Sequence, residues 1–592
     1  MKSIVDFFRT ERGWLTAGFV FAAVIFLVNL GSDGLYAAQE GRTAMIVRNM
    51  VRSGNYMEMH FEHAIPYEKP IGHYWLCLPA ALAGGLGGDP LKVPAEWILR
   101  LPSALCALAA VLTAAFLARR LYGAKTAALA MVVLSGTPAF SNLGRLAHID
   151  MPLAGAFTVA MYFLWCGYFE EYRSNFKLYG FYIMLGAAVL LKGPLAILLA
   201  GCVVLGMLLW SRRWKMLWEL RPLTGGLVLC AVALPWYIAE HIRTDGAFFD
   251  EFIVNQNFRR FTGIGSTYRN GERMPLLYYF PKLFAGMLPW SLAAIPGVVH
   301  FRKALMRFSL RRGTVFLLMW AGTLFIFFSC SALKRGDYLL PLYPAAAILL
   351  ARVIVLGCEG LPGLTKKWKI VWLGLCILIA AAAVVNHTGI PIRLGELIAT
   401  GRIPHASERD GMTLIMISRF IDDHRCWGLA GAAAAAALLF LIFKKMEQKR
   451  HFTALSIFSA AVLGIFTCYH AVIQPGTDNL KTVKFFCRRA AAIIPPGEKV
   501  TCAGDFNAEL IFFIDRPYGR DIEGDGTRFV LIPPRYADPL LKSAPESWKE
   551  LLRTEKDHQY PVVLLERRRC QTPADALCAP AGAPPGIGTE EK

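Results

Sequence analysis

Between Gly31 and Trp75 the chain carries Asp33, Glu40, Arg42, Glu68 and Lys69 in a polar stretch that follows an apolar helix and ends at Pro70 and Tyr74-Trp75. A carboxylate just past an apolar span, then an acidic–basic pair, then an aromatic return to lipid suits a reaction at a membrane surface. Ionisable groups at that boundary are costly unless paired or working, so they are candidate site residues. Glu62 in the same stretch and, further along, Arg145, His148, Asp150, Lys192, His241, Arg259, Arg260, Lys334, Arg335 and Asp337 also lie in segments between spans, many within a few residues of a span end. Carboxylates on separate loops, with cations nearby, fit transfer of a group away from an anionic leaving group. One carboxylate takes the nucleophile's proton, and fixed cations hold the charge that departs.

The elements that must position these residues are apolar helices. Of 592 residues, 55% are hydrophobic and only 18% charged, with a mean hydropathy of +0.42. The apolar residues fall in blocks long enough to cross a bilayer, so the fold class expected is an all-α polytopic membrane protein. The net charge of +20 is explained by cytoplasmic Lys and Arg that set topology, not by nucleic acid. The first span is Gly13 to Leu30, uncleaved, with its N-terminus inside and the loop after it outside. Ile71 to Gly85 is short and is assigned as an interfacial or re-entrant helix, because counting it as a span would put Arg119-Arg120 on the wrong side. Spans then follow at Leu101 to Ala118, Ala124 to Ala139, Met151 to Phe169, Leu178 to Leu191, Leu195 to Trp210, Leu223 to Ala239 and Leu276 to Val299. Thr314 to Ser331, Tyr338 to Leu356, Ile370 to Val385, Trp427 to Phe443 and Phe452 to Val472 bring the total to about thirteen by hydropathy. Basic clusters at 212–215, 302–312, 366–369 and 444–450 then share one side.

This topology places Gln474 onward outside, as a small α/β unit over 474–578, with 1–473 forming the membrane domain and 31–100 its first external loop and juxtamembrane helices. Lys481 to Ala492 and Trp548 to Lys556 read as helices; Lys499 to Ala503, Arg528 to Ile532 and Pro561 to Glu566 read as strands. The Pro-, Gly- and Ala-rich residues 579–592 have the composition of a disordered tail. There is no CxxC among the 14 cysteines, so neither zinc nor redox chemistry is indicated. A disulfide is expected among Cys487, Cys502, Cys570 and Cys578 if the unit meets an oxidising compartment.

An ordered series of short motifs carries a family resemblance. "GLYAAQEGR" after Asp33, "PYEKPIGHYW", "RLPSAL", "RLAHIDMPLA", "KGP" at Lys192, "NFRRF", "LPWS" and "FFSCSALKRGDYLLPLYPA" occur in that order over Gly31 to Ala351. The series resembles the GT-C membrane glycosyltransferases that use polyprenyl-phosphate sugars, in particular the lipid A aminoarabinose transferases and the protein mannosyltransferases. The resemblance implies that Asp33 is the general base or positions the acceptor, and that Asp150 contacts the acceptor or sugar. It implies a donor-phosphate site of Lys69, with Glu68 as its acidic neighbour, Arg259 or Arg260, and Tyr338; Glu40 is a supporting residue. The chain departs from the family pattern in "CSALKRGDY", which sets Asp337 beside the expected phosphate, and in "EKPI" where a second proline is usual.

Physical chemistry asks for the same parts. An acceptor hydroxyl needs a base, and a departing lipid phosphate needs cations. A monophosphate carries too little charge to require a divalent metal, so no cofactor is expected; Glu68 with His60, His63 or His241 is the only metal site considered. Structural alternatives stand beside these roles. Asp33 or Asp150 could cap a helix; Lys69 could snorkel to headgroups; Lys192-Gly193-Pro194 could be only a helix end. Arg259-Arg260 could bind anionic lipid, and Arg42, Arg48 and Arg52 fit the polar face of an interfacial helix. The function expected is inverting sugar transfer from a polyprenyl-phosphate donor to lipid A, a glycolipid, a polysaccharide or a protein. It would take place on the periplasmic face of a bacterial inner membrane. A flippase of a lipid-linked saccharide is the alternative, set against by the near absence of charge at span centres and of internal repeats.

Overall fold

The computed structural model describes residues 10–32, 34–35, 38–61, 69–170, 173–259, 275–293, 311–331, 334–359, 390–400, 411–412, 414–416, 418–419, 425–503, 508–519, 527–555, 558 and 560–568. Helix α1 (Glu11–Leu27) starts at Thr10, whose side chain accepts from the Gly13 amide. Its far end is closed from another part of the chain. Arg145 donates to the carbonyls of Ile25 (2.6 Å), Val28 (2.8 Å) and Asn29 (2.9 Å), groups that a helix terminus leaves without partners of its own.

Two short helices follow in the first loop, α2 (Ala38–Ser53) and α3 (Gly72–Ala83). At 12 residues, α3 is about 18 Å long and cannot cross a hydrocarbon core of about 30 Å, in keeping with its interfacial assignment. Next come α4 (Ala95–Tyr122), α5 (Ala124–Ser135), α6 (Pro138–Gly144), α7 (Asp150–Leu164, continued by a π turn to Phe169), α8 (Asn175–Lys192), α9 (Leu195–Ser211) and α10 (Pro222–Arg243). Later helices are α11 (Arg312–Cys330), α12 (Tyr343–Cys358, entered through a 3-10 segment Gly336–Leu342), α13 (Arg425–Glu447) and α14 (His451–Cys468). Small residues let these helices approach closely, as lipid-embedded helices do; a Cβ on Gly155 of α7 would lie 3.0 Å from the Cys106 carbonyl of α4.

Among the described residues, six helical stretches are long and apolar enough to cross a membrane: 95–122, 150–169, 222–243, 312–330, 336–358 and 451–476. The chain is thus a multi-pass membrane protein. The expected span Ala124 to Ala139 is instead a broken one, α5 and α6, bent by 69°. Pro138 opens α6 and cannot continue the hydrogen bonding of α5. Leu276 to Val299 is described only to 293, where it is a 3-10 turn, a helix over Tyr279–Gly286 and a second 3-10 turn over Trp290–Ala293. Ile370 to Val385 lies outside the described residues.

Beyond Gln474 the chain forms α15 (Lys484–Ile493), β1 (Val500–Cys502), α16 (Ala508–Ile514), β2 (Tyr518–Gly519), β3 (Phe529–Ile532), α17 (Pro534–Ser543), β4 (Trp548–Arg553) and β5 (Val563–Arg567). The sheet order is β2-β1-β3-β5-β4, parallel on the β1 side and antiparallel where β5 meets β3 and β4. Within the stretch Trp548 to Lys556, expected as a helix, Trp548–Arg553 is therefore an edge strand. Apolar residues at 548, 551 and 552 imitate helical spacing, but the register slips between Glu550 and Leu552 at a bulge, which moves the alternation by one residue. Cys487 and Cys502 are buried free thiols, which excludes a bridge between them; Cys570 and Cys578 lie outside the described residues.

This unit does not stand apart from the first loop. Val483, Phe486, Phe512 and Leu564 share one apolar core with Ile46, Met50, Tyr74 and Leu99. Arg48 and Arg52, expected on the polar face of an interfacial helix, grip Asp515 at 3.0 Å and 2.8 Å. Because α16 lies on α2, a Cβ added to Gly41 would come within 2.6 Å of the Glu509 amide nitrogen.

Candidate functional site

Asp150 is the first residue of α7 and is 3% exposed. Its carboxylate does not cap the helix. It takes an ion pair from Lys192, the last residue of α8, and lies 3.4 Å from Nδ1 of His148. The helix-end assignment of Lys192 is thus incomplete: the residue ends α8 and also neutralises Asp150. Gly193 makes the stop. Its φ of +90° and ψ of −166° form a conformation that residues with a side chain avoid, and a Cβ there would meet the Phe252 ring at 2.5 Å.

A second loop closes on the pair. Tyr338 presents its ring to the Lys192 ammonium at 4.7 Å, a cation–π contact. Asp337 reaches Nε2 of His148 at 3.8 Å and is itself paired with Arg335 at 2.9 Å. The Arg335 amide donates to the Tyr279 hydroxyl, 3.0 Å. The two ring nitrogens of His148 therefore face two different carboxylates. Burial pushes the His148 imidazole below its ordinary range, and Lys192 and Arg335 act in the same direction, against Asp150 and Asp337.

Lys69 acts on the Asp150 carboxylate through its charge, so this expected phosphate ligand and the second aspartate do share one end of the bundle. Nearby, α3 contributes His73, which is 1% exposed and feels the charges of His148 and Asp150. Burial drives its pKa down to about 3.

Glu40 is fully buried in a pair with Arg100, Nε to Oε1 at 2.8 Å. Its Oε1 also accepts from the Ala147 amide at 2.9 Å. Arg259 ends a π-helical stretch over Asp250–Arg259, with its guanidinium on the Asn255 amide oxygen at 2.8 Å. Phe252 of that stretch rests against Gly193, so the Arg259 segment packs at the Lys192 helix end. Asp33, Glu68 and Arg260 lie outside the described residues.

The arrangement can hold an anion. It brings Lys69, Lys192 and Arg335 together with Asp150 and Asp337 in a partly desolvated place where charges interact strongly. His148, Asp150 and Asp337 together also present ligand atoms within 4.8 Å of one another. There the Lys192 ammonium supplies the cation that Asp150 needs. The metal site considered from the sequence is different; of its residues, His60 pairs with Glu58 at 3.1 Å and Glu68 and His63 lie outside the described residues.

Sequence reasoning gave Arg100 and His73 no role. The signal for Arg100 was a guanidinium at the start of an otherwise apolar span, which demands a partner. His73 offered none beyond a lone histidine in an apolar stretch.

Comparison with known proteins returns the kind of protein that the motifs resemble. A family model described as dolichyl-phosphate-mannose-protein mannosyltransferase matches residues 91–238. An undecaprenyl phosphate-alpha-4-amino-4-deoxy-L-arabinose arabinosyl transferase of Edwardsiella ictaluri is 31% identical over 346 residues, 57% of this chain and 59% of that protein. The protein of the same name from Shewanella sediminis is 28% identical over 444 residues, covering 73% of this chain and 72% of its own length. The chain spans somewhat under three-fifths of the length of the first curated relatives it matches, 59% and 58% for two of them. Among solved structures, ArnT from Cupriavidus metallidurans bound to undecaprenyl phosphate superposes with a TM-score of 0.72. It is 21% identical and covers 93% of this chain and 98% of that one. That likeness establishes the fold: the polytopic helical membrane architecture of that structure, here with a small C-terminal sheet.

Proposed function

We propose that this chain is an inverting membrane glycosyltransferase that moves a sugar from an undecaprenyl-phosphate-type donor to an acceptor hydroxyl. The acceptor classes are lipid A, another glycolipid, a polysaccharide or a protein. The observation that carries the reading is the gathering of Lys69, Lys192 and Arg335 about the buried Asp150, built from the segment before α3, α7, α8 and the 335–338 segment at one end of the bundle. A lipid phosphate entering there meets fixed positive charge, and the Asp150–Lys192 pair holds its own geometry before the ligand arrives.

In the reaction the acceptor oxygen attacks the anomeric carbon as the bond from that carbon to the phosphate oxygen breaks. The electron pair leaves with the polyprenyl phosphate, whose charge Lys69 and one of Arg259 and Arg260 receive. Asp33 takes the acceptor's proton, Asp150 orients the acceptor or sugar, and Tyr338 closes over the phosphate side. The chain would lie in a bacterial inner membrane with its N-terminus cytoplasmic. Residues 1–473 would form the transferase domain, and 474–578 a periplasmic unit. The relatives' printed names support the donor class. The test is release of polyprenyl phosphate and sugar transfer in membranes supplied with polyprenyl-phosphate sugar. Asp33→Asn and Lys69→Ala are expected to abolish both; unchanged transfer in the two variants overturns the assignment.

A further inference from the structure

Arg100 and Glu40 form an ion pair with both side chains at 0% exposure. Such a pair is a poor source of stability, since apolar residues of similar volume often serve as well. The hydrogen bonds show what this one does instead. Arg100 grips Glu40 through two nitrogens, both at 2.8 Å, and donates to the backbone carbonyls of Leu30 (3.2 Å) and Gly34 (2.6 Å). The Glu40 oxygen that receives Nε also receives the Ala147 amide, three residues before Asp150. Gly34 is held from its other side as well, its amide donating to Asp478 at 2.9 Å.

We propose that Arg100 is a positioning residue for sugar transfer: with Glu40 it fixes the backbone at Leu30 and at Gly34 relative to the loop that delivers Asp150. The proposal rests on the function given above. It predicts that the pair matters to the rate of the chemical step more than to folding or donor capture, because Lys69 and Lys192 reach the site from other elements.

The experiment uses the full chain in membranes and compares wild type, Arg100→Met with Glu40→Met, Arg100→Lys, Asp150→Asn, and each Arg100 change combined with Asp150→Asn. The apolar pair is expected to melt below wild type, because the Leu30 and Gly34 carbonyls and the Ala147 amide lose these partners, yet to stay folded with a donor KM within about threefold. Its kcat is expected to fall about 100-fold, the cost of a displacement near 1 Å. Arg100→Lys, which keeps charge but cannot span all four bonds, is expected to lose at least about tenfold in kcat and decides alone if the apolar pair does not fold. In the Asp150→Asn background neither change should add much, since residues acting as one unit are not additive. A folded variant with kcat within about threefold of wild type, or full additivity with Asp150→Asn, overturns the proposal. Wild-type membranes that never break the sugar–phosphate bond refute the function itself, a different outcome.

Discussion

Lys192 and Asp150 stand 42 residues apart in sequence and meet as an ion pair where the C-terminus of α8 faces the N-terminus of α7. The pairing suits both helices: the cation sits at a helix end that carries partial negative charge, the carboxylate at one that carries partial positive charge. Lys192→Met should leave a buried carboxylate without its counter-charge, destabilising the protein by about 3–5 kcal/mol. Thermal unfolding and the transfer assay together should show both a lower melting temperature and a kcat reduced at least about 100-fold. Wild-type values for this variant would mean that Asp150 finds another cation.

Tyr338 touches that ammonium with its ring face, 4.7 Å away. Tyr338→Phe keeps the ring and should retain any function the cation–π contact supports, whereas Tyr338→Leu should lose about 1 kcal/mol, roughly fivefold in donor affinity. Should the resemblance be right about a phosphate contact through the hydroxyl, Phe will fall with Leu. Donor KM for the two variants separates the cases.

Gly193→Ala tests the stop that aims Lys192. The backbone there is costly for a residue with a side chain, about 1–3 kcal/mol, and the new Cβ would press on Phe252 at 2.5 Å. Activity is expected to fall together with stability. A fully active, equally stable protein would show that Phe252 moves freely.

Deleting 474–592 should abolish activity, because the C-terminal unit shares its core with α2 and α3 and ties Gly34 through Asp478. Asp515→Asn is a milder version. It removes the charge that holds Arg48, which is 4% exposed, and should cost about 3 kcal/mol. Sustained transfer by the truncated chain would disprove the shared-core dependence.

The same interface should respond to pH in both directions. Burial of Glu509, with Asp478 and Glu40 adding like charge, raises its pKa well above the ordinary range, and Thr482 donates to it. Protonation is then favoured by folding. The associated stability is complete below the unfolded value of about 4.3 and is lost as pH rises through the folded value. Asp515 behaves oppositely. Burial raises its pKa, but the Arg52 hydrogen bonds and the Arg48 charge outweigh that, so its contribution is present above about 3.9 and lost as pH falls through the folded value. Melting curves between pH 4 and 9 should show Glu509→Gln flattening the alkaline limb and stabilising the protein at neutral pH. An unchanged limb would contradict a protonated Glu509.

The membrane class and most helix positions, with Asp150 at the start of α7, were legible in the sequence. Hydropathy is a property of each segment by itself, and polar motifs at span ends stand out against lipid-facing residues. Strands β1, β3 and β5 were legible for the same local reason, while β4 was not, because a bulge is defined only by the partner strand. Tertiary structure alone decided that Lys192 neutralises Asp150, that His148 faces two carboxylates, and that Arg100 reaches Glu40 and two loop carbonyls. It likewise gave Arg48 and Arg52 of that helix's polar face a partner in Asp515. Each of these is a pairing across distant segments, set by which helix ends the fold brings to the same place. Residue types and spacing along the chain carry the demand for a partner, but not its identity.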